Sequence, residues 1–244
     1  MTRYNMKNLV VITGASSGIG EELAKQMNAQ GHPLLLLARR VEKLEALGLS
    51  NTLCMKVDVT DKEAFQNAIN IATDKYGPVD LLVNNAGLML LGQVDVQNAA
   101  EWQAMYDVNV LGLLNGMQSV LPSMKQRNTG TIINISSVAG RKTFADHAAY
   151  CGTKFAVHAI SENVREEVAN NNVRVITIAP GAVETELLSH TTSHEIISGY
   201  ESWKKEMGGI LAPIDVSNAI SYAYNQPQNV CLREIVLAPT KQQP

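Results

Sequence analysis

A short run of branched, wholly apolar residues at 9–12 (LVVI) leads with no spacer into Thr13-Gly14-Ala15-Ser16-Ser17-Gly18-Ile19-Gly20. Leu23, Ala24 and Met27 then follow at helical spacing. No other feature restricts the fold as much. A strand that is apolar on both faces must be covered on both, as central parallel strands are. A glycine-rich turn between such a strand and a helix gathers backbone N–H groups at the positive end of the helix dipole, and that point suits a phosphate. The spacing is Gly-x-x-x-Gly-x-Gly, not the commoner Gly-x-Gly-x-x-Gly. No Gly-Lys-Ser/Thr follows, so a nucleoside-triphosphate loop is excluded.

The strand-then-helix alternation continues down the chain. Largely apolar runs predict strands at 34–38, 52–57, 80–83, 131–135, 173–179 and 231–237. Helices are predicted from Thr60 or Asp61 to residue 76, over 97–127 with breaks at Gly112, Gly116 and Pro122, and over 213–225. No linker or internal repeat interrupts the 244 residues. The fold class is therefore α/β: a single doubly wound, Rossmann-type domain over 1–244, with a parallel sheet of about seven strands and helices on both faces. Ligands in such sheets sit at the carboxyl ends of the strands. The stretch 188–211 is too long and irregular for an ordinary connection and is expected to be a mobile substrate lid.

The strand ends carry the chemistry. Dinucleotide folds place an acid about 20 residues past the glycines to hold the 2′-hydroxyl of NAD. Here Ala38 stands at that point and Arg39 and Arg40 follow. A guanidinium can grip a 2′-phosphate that a carboxylate would repel, so the cofactor expected is NADP(H). The fourth strand runs into Asn84-Asn85-Ala86-Gly87, whose amides either tie strand ends together or face a ligand. The fifth ends in Ser136-Ser137, the sixth in Pro180-Gly181. Tyr150 and Lys154 lie four residues apart, on one face of a helix. A neighbouring ammonium is expected to lower the tyrosine pKa and fit it for proton transfer.

Composition removes other classes. The net charge of −3 builds no basic face, so neither nucleic acid nor an anionic membrane is expected as partner. Cys54, Cys151 and Cys231 are few and widely spaced, as reduced thiols are. His32, His147, His158, His190 and His194 show no metal-ligand spacing and read as ordinary polar residues, with His190 and His194 as candidate pocket wall; no metal is expected. Arg3 and Lys7 precede an apolar run too short for a signal peptide, and no stretch approaches the roughly 18 apolar residues of a membrane helix, so a cytoplasmic protein is expected.

Taken together, Thr13-Gly-x-x-x-Gly-Ile-Gly20, Asn84-Asn-Ala-Gly87, Ser137, Tyr150-x-x-x-Lys154 and Pro180-Gly181 resemble the short-chain dehydrogenase/reductase family in order and spacing, over nearly the whole chain. The resemblance implies an NADPH-dependent oxidoreductase acting on a carbonyl or alcohol. Tyr150 would be its general acid and base. Lys154 would tune Tyr150 and hold the nicotinamide ribose, Ser137 would bond the substrate carbonyl, and Asn109 would anchor a water leading to Lys154. By the same resemblance Gly14, Ser16, Ser17, Gly18 and Ile19 would hold the phosphates, Asp58 and Val59 the adenine, and Asn85 the adenosine ribose. Pro180, Gly181, Val183 and Thr185 would meet the nicotinamide end. The substrate pocket is expected from 88–92, 138–145 and 187–209. A homodimer or homotetramer through the helices bearing Asn109 and Tyr150 is implied as well. Within the family the sequence also resembles a bacterial member whose bound NADPH emits blue light more strongly than the free cofactor, so enhanced emission stands as the alternative property.

Overall fold

Seven parallel strands pair in the order β3-β2-β1-β4-β5-β6-β7. They are β1 (Leu9–Thr13), β2 (Leu34–Ala38), β3 (Thr52–Lys56), β4 (Val79–Asn84), β5 (Gly130–Ile135), β6 (Val173–Pro180) and β7 (Glu234–Leu237). The computed structural model describes residues 7–242; Arg3 and the two ends of the predicted 1–244 domain lie outside them. The strand order reverses between β1 and β4, and a crevice opens there beyond the strands' carboxyl ends.

The continuous apolar runs are explained by burial on both faces. Val11, Leu35, Leu82, Ile132 and Val175 pack on one side under α3 (Lys62–Tyr76), α5 (Gly112–Arg127) and α6 (Ala148–Val168), through Phe65, Ala72, Leu113, Met117 and Val157. Val10, Ile12, Leu34, Leu36, Leu81 and Ile176 face the other way, under α1 (Gly18–Ala29) and α8 (Pro213–Tyr224), through Leu23, Met27, Val216 and Ile220. Adjacent residues of one strand therefore serve opposite layers, and neither face of the sheet is left to solvent.

Three expectations are corrected. The region 97–127 is not broken at Gly116 or Pro122. It comprises α4 (Ala99–Tyr106), a wide π-helical turn (Asp107–Leu111) and an uninterrupted α5. Gly116 lies against Phe65 and Asn84, where a Cβ would collide, so this glycine permits close packing instead of ending a helix. Pro122 faces solvent, as does Gln118, whose carbonyl loses its helical donor. The last strand begins at Glu234, not 231, and pairs only with β6 at the sheet edge. Finally, 187–211 is largely helical. A 3₁₀ turn (Glu186–His190) precedes α7 (His194–Glu206), capped by the Ser193 side chain. A short helix, α2 (Val41–Glu45), follows Arg40. Among the described residues no helix is long and apolar enough to cross a membrane.

Candidate active site

The glycine turn is locked from below. A Cβ on Gly14 would stand 2.7 Å from Ala86 Cα, and the residue has φ +63°, so only glycine fits without strain. The Thr13 hydroxyl accepts from the N–H groups of Asn85 and Ala86, both at 3.0 Å. The Asn85 amide donates to the carbonyls of Thr13 and Gly14 at 3.0 and 3.1 Å. Asn85 thus lines the crevice, but its amide is committed to shaping the turn. Asn84 settles the other half of the open question: it donates to Asn134 at 2.9 Å, and Asn134 donates to Ser161 at 2.9 Å. That buried chain ties β4 to β5 and to α6. Ser17 stands at the N-cap of α1 without capping it. Its hydroxyl and that of Ser16 instead accept from Arg40 Nη2, at 3.2 and 3.3 Å. The first-turn N–H groups of α1 are left without a side-chain cap, the condition under which a helix start binds an anion.

One continuous cleft of about 700 Å³ runs from this turn to the other end of the strand row. Gly14, Ser16, Ser17, Gly18, Ile19, Arg39, Arg40, Asp58, Val59 and Asn85 line one half. Ser137, Tyr150, Lys154, Pro180, Gly181 and Val183 line the other, and Thr185 lies beside Gly18 at the glycine turn. Asp58 accepts from the Thr60 N–H at 3.0 Å and the Thr60 hydroxyl at 2.8 Å, which fixes the turn after β3. Arg39 is exposed at the rim, whereas Arg40 is half-buried and bonded. Of the predicted site residues, Asn109 does not reach the cleft wall. It is 2% exposed, and its amide clamps Leu88 through the Leu88 N–H at 2.7 Å and the Leu88 carbonyl at 2.8 Å. It also donates to Thr153 Oγ1 at 3.0 Å, and Thr153 in turn donates to the Tyr150 carbonyl at 2.7 Å.

Tyr150 and Lys154 come together as the spacing requires. Both are 5% exposed, and Lys154 Nζ lies 5.7 Å from the centroid of the Tyr150 ring. Lys154 Nζ donates to the Ile135 carbonyl at 3.0 Å. The Ser137 side chain, which accepts from the Ala139 N–H at 3.1 Å, is also hydrogen-bonded to Tyr150. Ser136 points elsewhere, to the Lys154 carbonyl at 3.2 Å and to His158 at 3.0 Å, so Ser137 is the serine that meets the phenol.

The expected electrostatics are reversed. Burial pushes the Tyr150 phenol well above its ordinary value, and the hydrogen bond with Ser137 draws it only part of the way back. Burial pulls Lys154 down to about 8. Desolvation, which penalises the charged form of either group, is the largest cause of both shifts. Tyr150 is therefore held protonated at neutral pH. Because folding lowers the Lys154 pKa below the ordinary value of about 10.4, the unfolded chain binds more protons between about pH 8 and 10. Stability from this group then rises with pH across that window; Tyr150, shifted the opposite way, weakens stability only above about pH 10. Melting curves should show the native protein gaining on a Lys154→Met variant as pH goes from about 7.5 to 9.5. A constant difference between the two would refute the assigned shift.

The cleft residues His147 and Gln242 lie outside the ranges expected from the sequence, whereas Phe144, Tyr200 and Trp203 fall within them. His147 is held by the Ala145 carbonyl at 2.5 Å, and burial lowers its pKa. Its ring lies 6.3 Å from that of Tyr150 and 6.4 Å from that of Tyr200, which contacts Trp203 at 5.1 Å. With Phe144, Met89, Leu187, Leu188 and Ile196 these rings form an apolar, aromatic wall beside the phenol. His190 lines the cleft and His194 does not. Of the predicted wall 88–92, only Leu88 and Met89 reach the cleft; the Gly92 N–H is engaged by the Asp146 carbonyl at 2.9 Å. Gln242 also reaches in, its Oε1 accepting from the Ala182 N–H at 2.9 Å. Nothing local in the sequence marks a contact between residues 60 apart. Among the described residues no cluster of histidine, cysteine and carboxylate side chains is suited to a metal.

Residues 8–196 match the family model for short chain dehydrogenases. An uncharacterized oxidoreductase of Staphylococcus saprophyticus is 39% identical over 245 residues, covering 98% of each chain. The closed form of serine dehydrogenase complexed with NADP+ superposes with a TM-score of 0.91 at 31% identity, over 96% of both chains. ElxO with NADP bound gives a TM-score of 0.84 at 30% identity, over 95% of this chain and 96% of that one.

Proposed function

The chain belongs to the short-chain dehydrogenase family, and on that premise we propose that it is an NADP(H)-dependent oxidoreductase interconverting a carbonyl and an alcohol, with Tyr150 as the general acid and base. The observation that carries this reading is the meeting of Tyr150, Ser137 and Lys154 on the wall of a cleft whose other end is a glycine turn backed by a guanidinium. The residues fit the cofactor. Gly14 leaves no room for a Cβ where a pyrophosphate would approach, the first turn of α1 lacks a side-chain cap, and Arg40 already holds a carboxylate. The solved relatives described with NADP bound support the choice of cofactor.

NADPH, when bound, supplies the hydride. The protein's own part is binding and proton transfer. The hydroxyls of Ser137 and Tyr150 would bond the substrate carbonyl oxygen together, polarising it. Tyr150 would deliver its proton to that oxygen as an alkoxide develops. Lys154, charged below about pH 8, would then balance the phenolate that Tyr150 becomes. Asn109 is a positioning residue, holding Leu88 at the cleft floor and Thr153 behind Tyr150. The segment 188–211 is proposed as the substrate lid, since α7 presents Ile196, Tyr200 and Trp203 to the cleft. The aromatic wall favours an apolar or aromatic carbonyl compound over a small charged one. Exposed Tyr106, Leu111, Leu114 and Phe155 lie on the helices where a homodimer or homotetramer is proposed to form.

A panel of aldehydes, ketones and hydroxy acids, followed by NADPH absorbance, tests the proposal. Consumption of NADPH with some carbonyl compounds and at most weak consumption of NADH are expected. No turnover of any member with either cofactor would count against it. The related chains reported above are described as oxidoreductases or carry NADP, which supports turnover over emission as the function. Brighter emission from bound NADPH, if found, serves as the binding signal in the same assay.

A further inference from the structure

The guanidinium proposed for the 2′-phosphate already carries a different anion. Arg40 Nη2 donates to Glu186 Oε2 at 2.8 Å while also holding the hydroxyls of Ser16 and Ser17. The other oxygen of the same carboxylate, Oε1, accepts from Lys43 Nζ at 3.1 Å. Glu186 thus bridges two cations of the β2–α2 corner. Those cations hold its carboxyl near 2, so the carboxylate is charged at every working pH. Glu186 is also the first residue of the 3₁₀ turn that leads from Thr185 toward α7. Thr185 caps that turn, accepting from the Leu187 N–H at 3.4 Å.

A phosphate brought to Arg40, Ser16 and Ser17 would meet this carboxylate at short range, where like charges repel. We infer that Glu186 is the resident anion of the 2′-phosphate subsite, and that a cofactor phosphate displaces it and frees the 3₁₀ turn at the root of the substrate lid. A cofactor without the phosphate leaves Glu186 on Arg40 and the turn tethered. The phosphate would then do two things at once: select NADP(H) and signal its arrival to the wall formed by α7. This inference rests on the proposal that Arg40 holds the 2′-phosphate.

The test uses adenosine 2′,5′-bisphosphate and adenosine 5′-monophosphate as probes, with calorimetric affinities and backbone hydrogen exchange across 186–206. Glu186→Gln keeps the shape and removes the charge. It should tighten the bisphosphate about three- to tenfold and leave the monophosphate unchanged, in keeping with loss of the two exposed ion pairs that Glu186 makes with Arg40 and Lys43. In the native protein the bisphosphate alone should speed exchange at 186–190. In Glu186→Gln that exchange should already be fast and indifferent to the probe. Glu186→Ala, at the same exposed position, should act in the same direction. Unchanged or weaker bisphosphate binding in both variants would overturn the inference. So would equal gains for both probes. Arg40→Ala separates the two levels: a selective loss of the bisphosphate with no effect of Glu186→Gln would sink the resident anion alone. An equal loss of both probes would sink the phosphate assignment and the inference with it.

Discussion

Tyr150→Phe is expected to lower kcat by about 10²- to 10⁴-fold while the NADPH dissociation constant stays within about twofold of native. The substitution removes one oxygen from a side chain whose ring remains packed beside His147, with Lys154 Nζ 5.7 Å away. Nothing in the phosphate half of the cleft changes. The loss is confined to the proton that must reach the product oxygen and to one of two hydroxyls aimed at the carbonyl. Steady-state rates together with an equilibrium titration of NADPH decide the matter. A variant keeping more than about a tenth of native kcat would mean that some other group carries the proton.

Gly14→Ala is the second large effect, and it acts on folding and binding alike. The added methyl needs a left-handed backbone, costing about 1–2 kcal/mol, and it must overlap Ala86 Cα at 2.7 Å and Ala86 N at 2.9 Å. These are backbone atoms fixed by the Thr13 and Asn85 bonds, so the turn must move instead. Overpacking of this kind adds about 1–3 kcal/mol. A drop in melting temperature of about 5–15 °C follows for a chain of this size. NADPH affinity should fall at least about tenfold, since a shift of even 1 Å misaligns every donor aimed at the pyrophosphate. Calorimetric melting and cofactor titration of the same sample give both numbers. Native affinity in a protein destabilised by this amount would show that the turn does not hold phosphate.

The parts of this fold that the sequence announces are those where a single physical demand acts on adjacent residues. The predicted strand 34–38 matches β2, because every residue in it is buried. The Asp61 cap and the Tyr150–Lys154 pair are equally local. Helix α7 was hidden because it has no fully buried residue. Its apolar positions, Ile196, Tyr200 and Trp203, face a cleft, so their stripe is thin. The first strand residue of β7 was misplaced because an edge strand needs only one neighbour and its apolar run outlasts its pairing. In the site, Glu186 and Gln242 could not be read from spacing, since their partners lie 146 and 60 residues away. The direction of the Tyr150 shift was misjudged for a different reason. Proximity can be inferred from a helix repeat, but the dryness of the surroundings is a property of the whole packed domain.

The π-helical turn at Asp107–Leu111 acts as a phase shifter between two consecutive helices. A regular helix advances about 100° per residue, so one residue too many or too few swings everything before it to a new azimuth. Here the broad turn lets α5 seat its apolar stripe under the sheet while Asn109 still points back at Leu88. The length of this stretch is therefore as constrained as its composition. Shortening it by a single residue would leave each helix intact and still rotate the cleft floor away from the phenol.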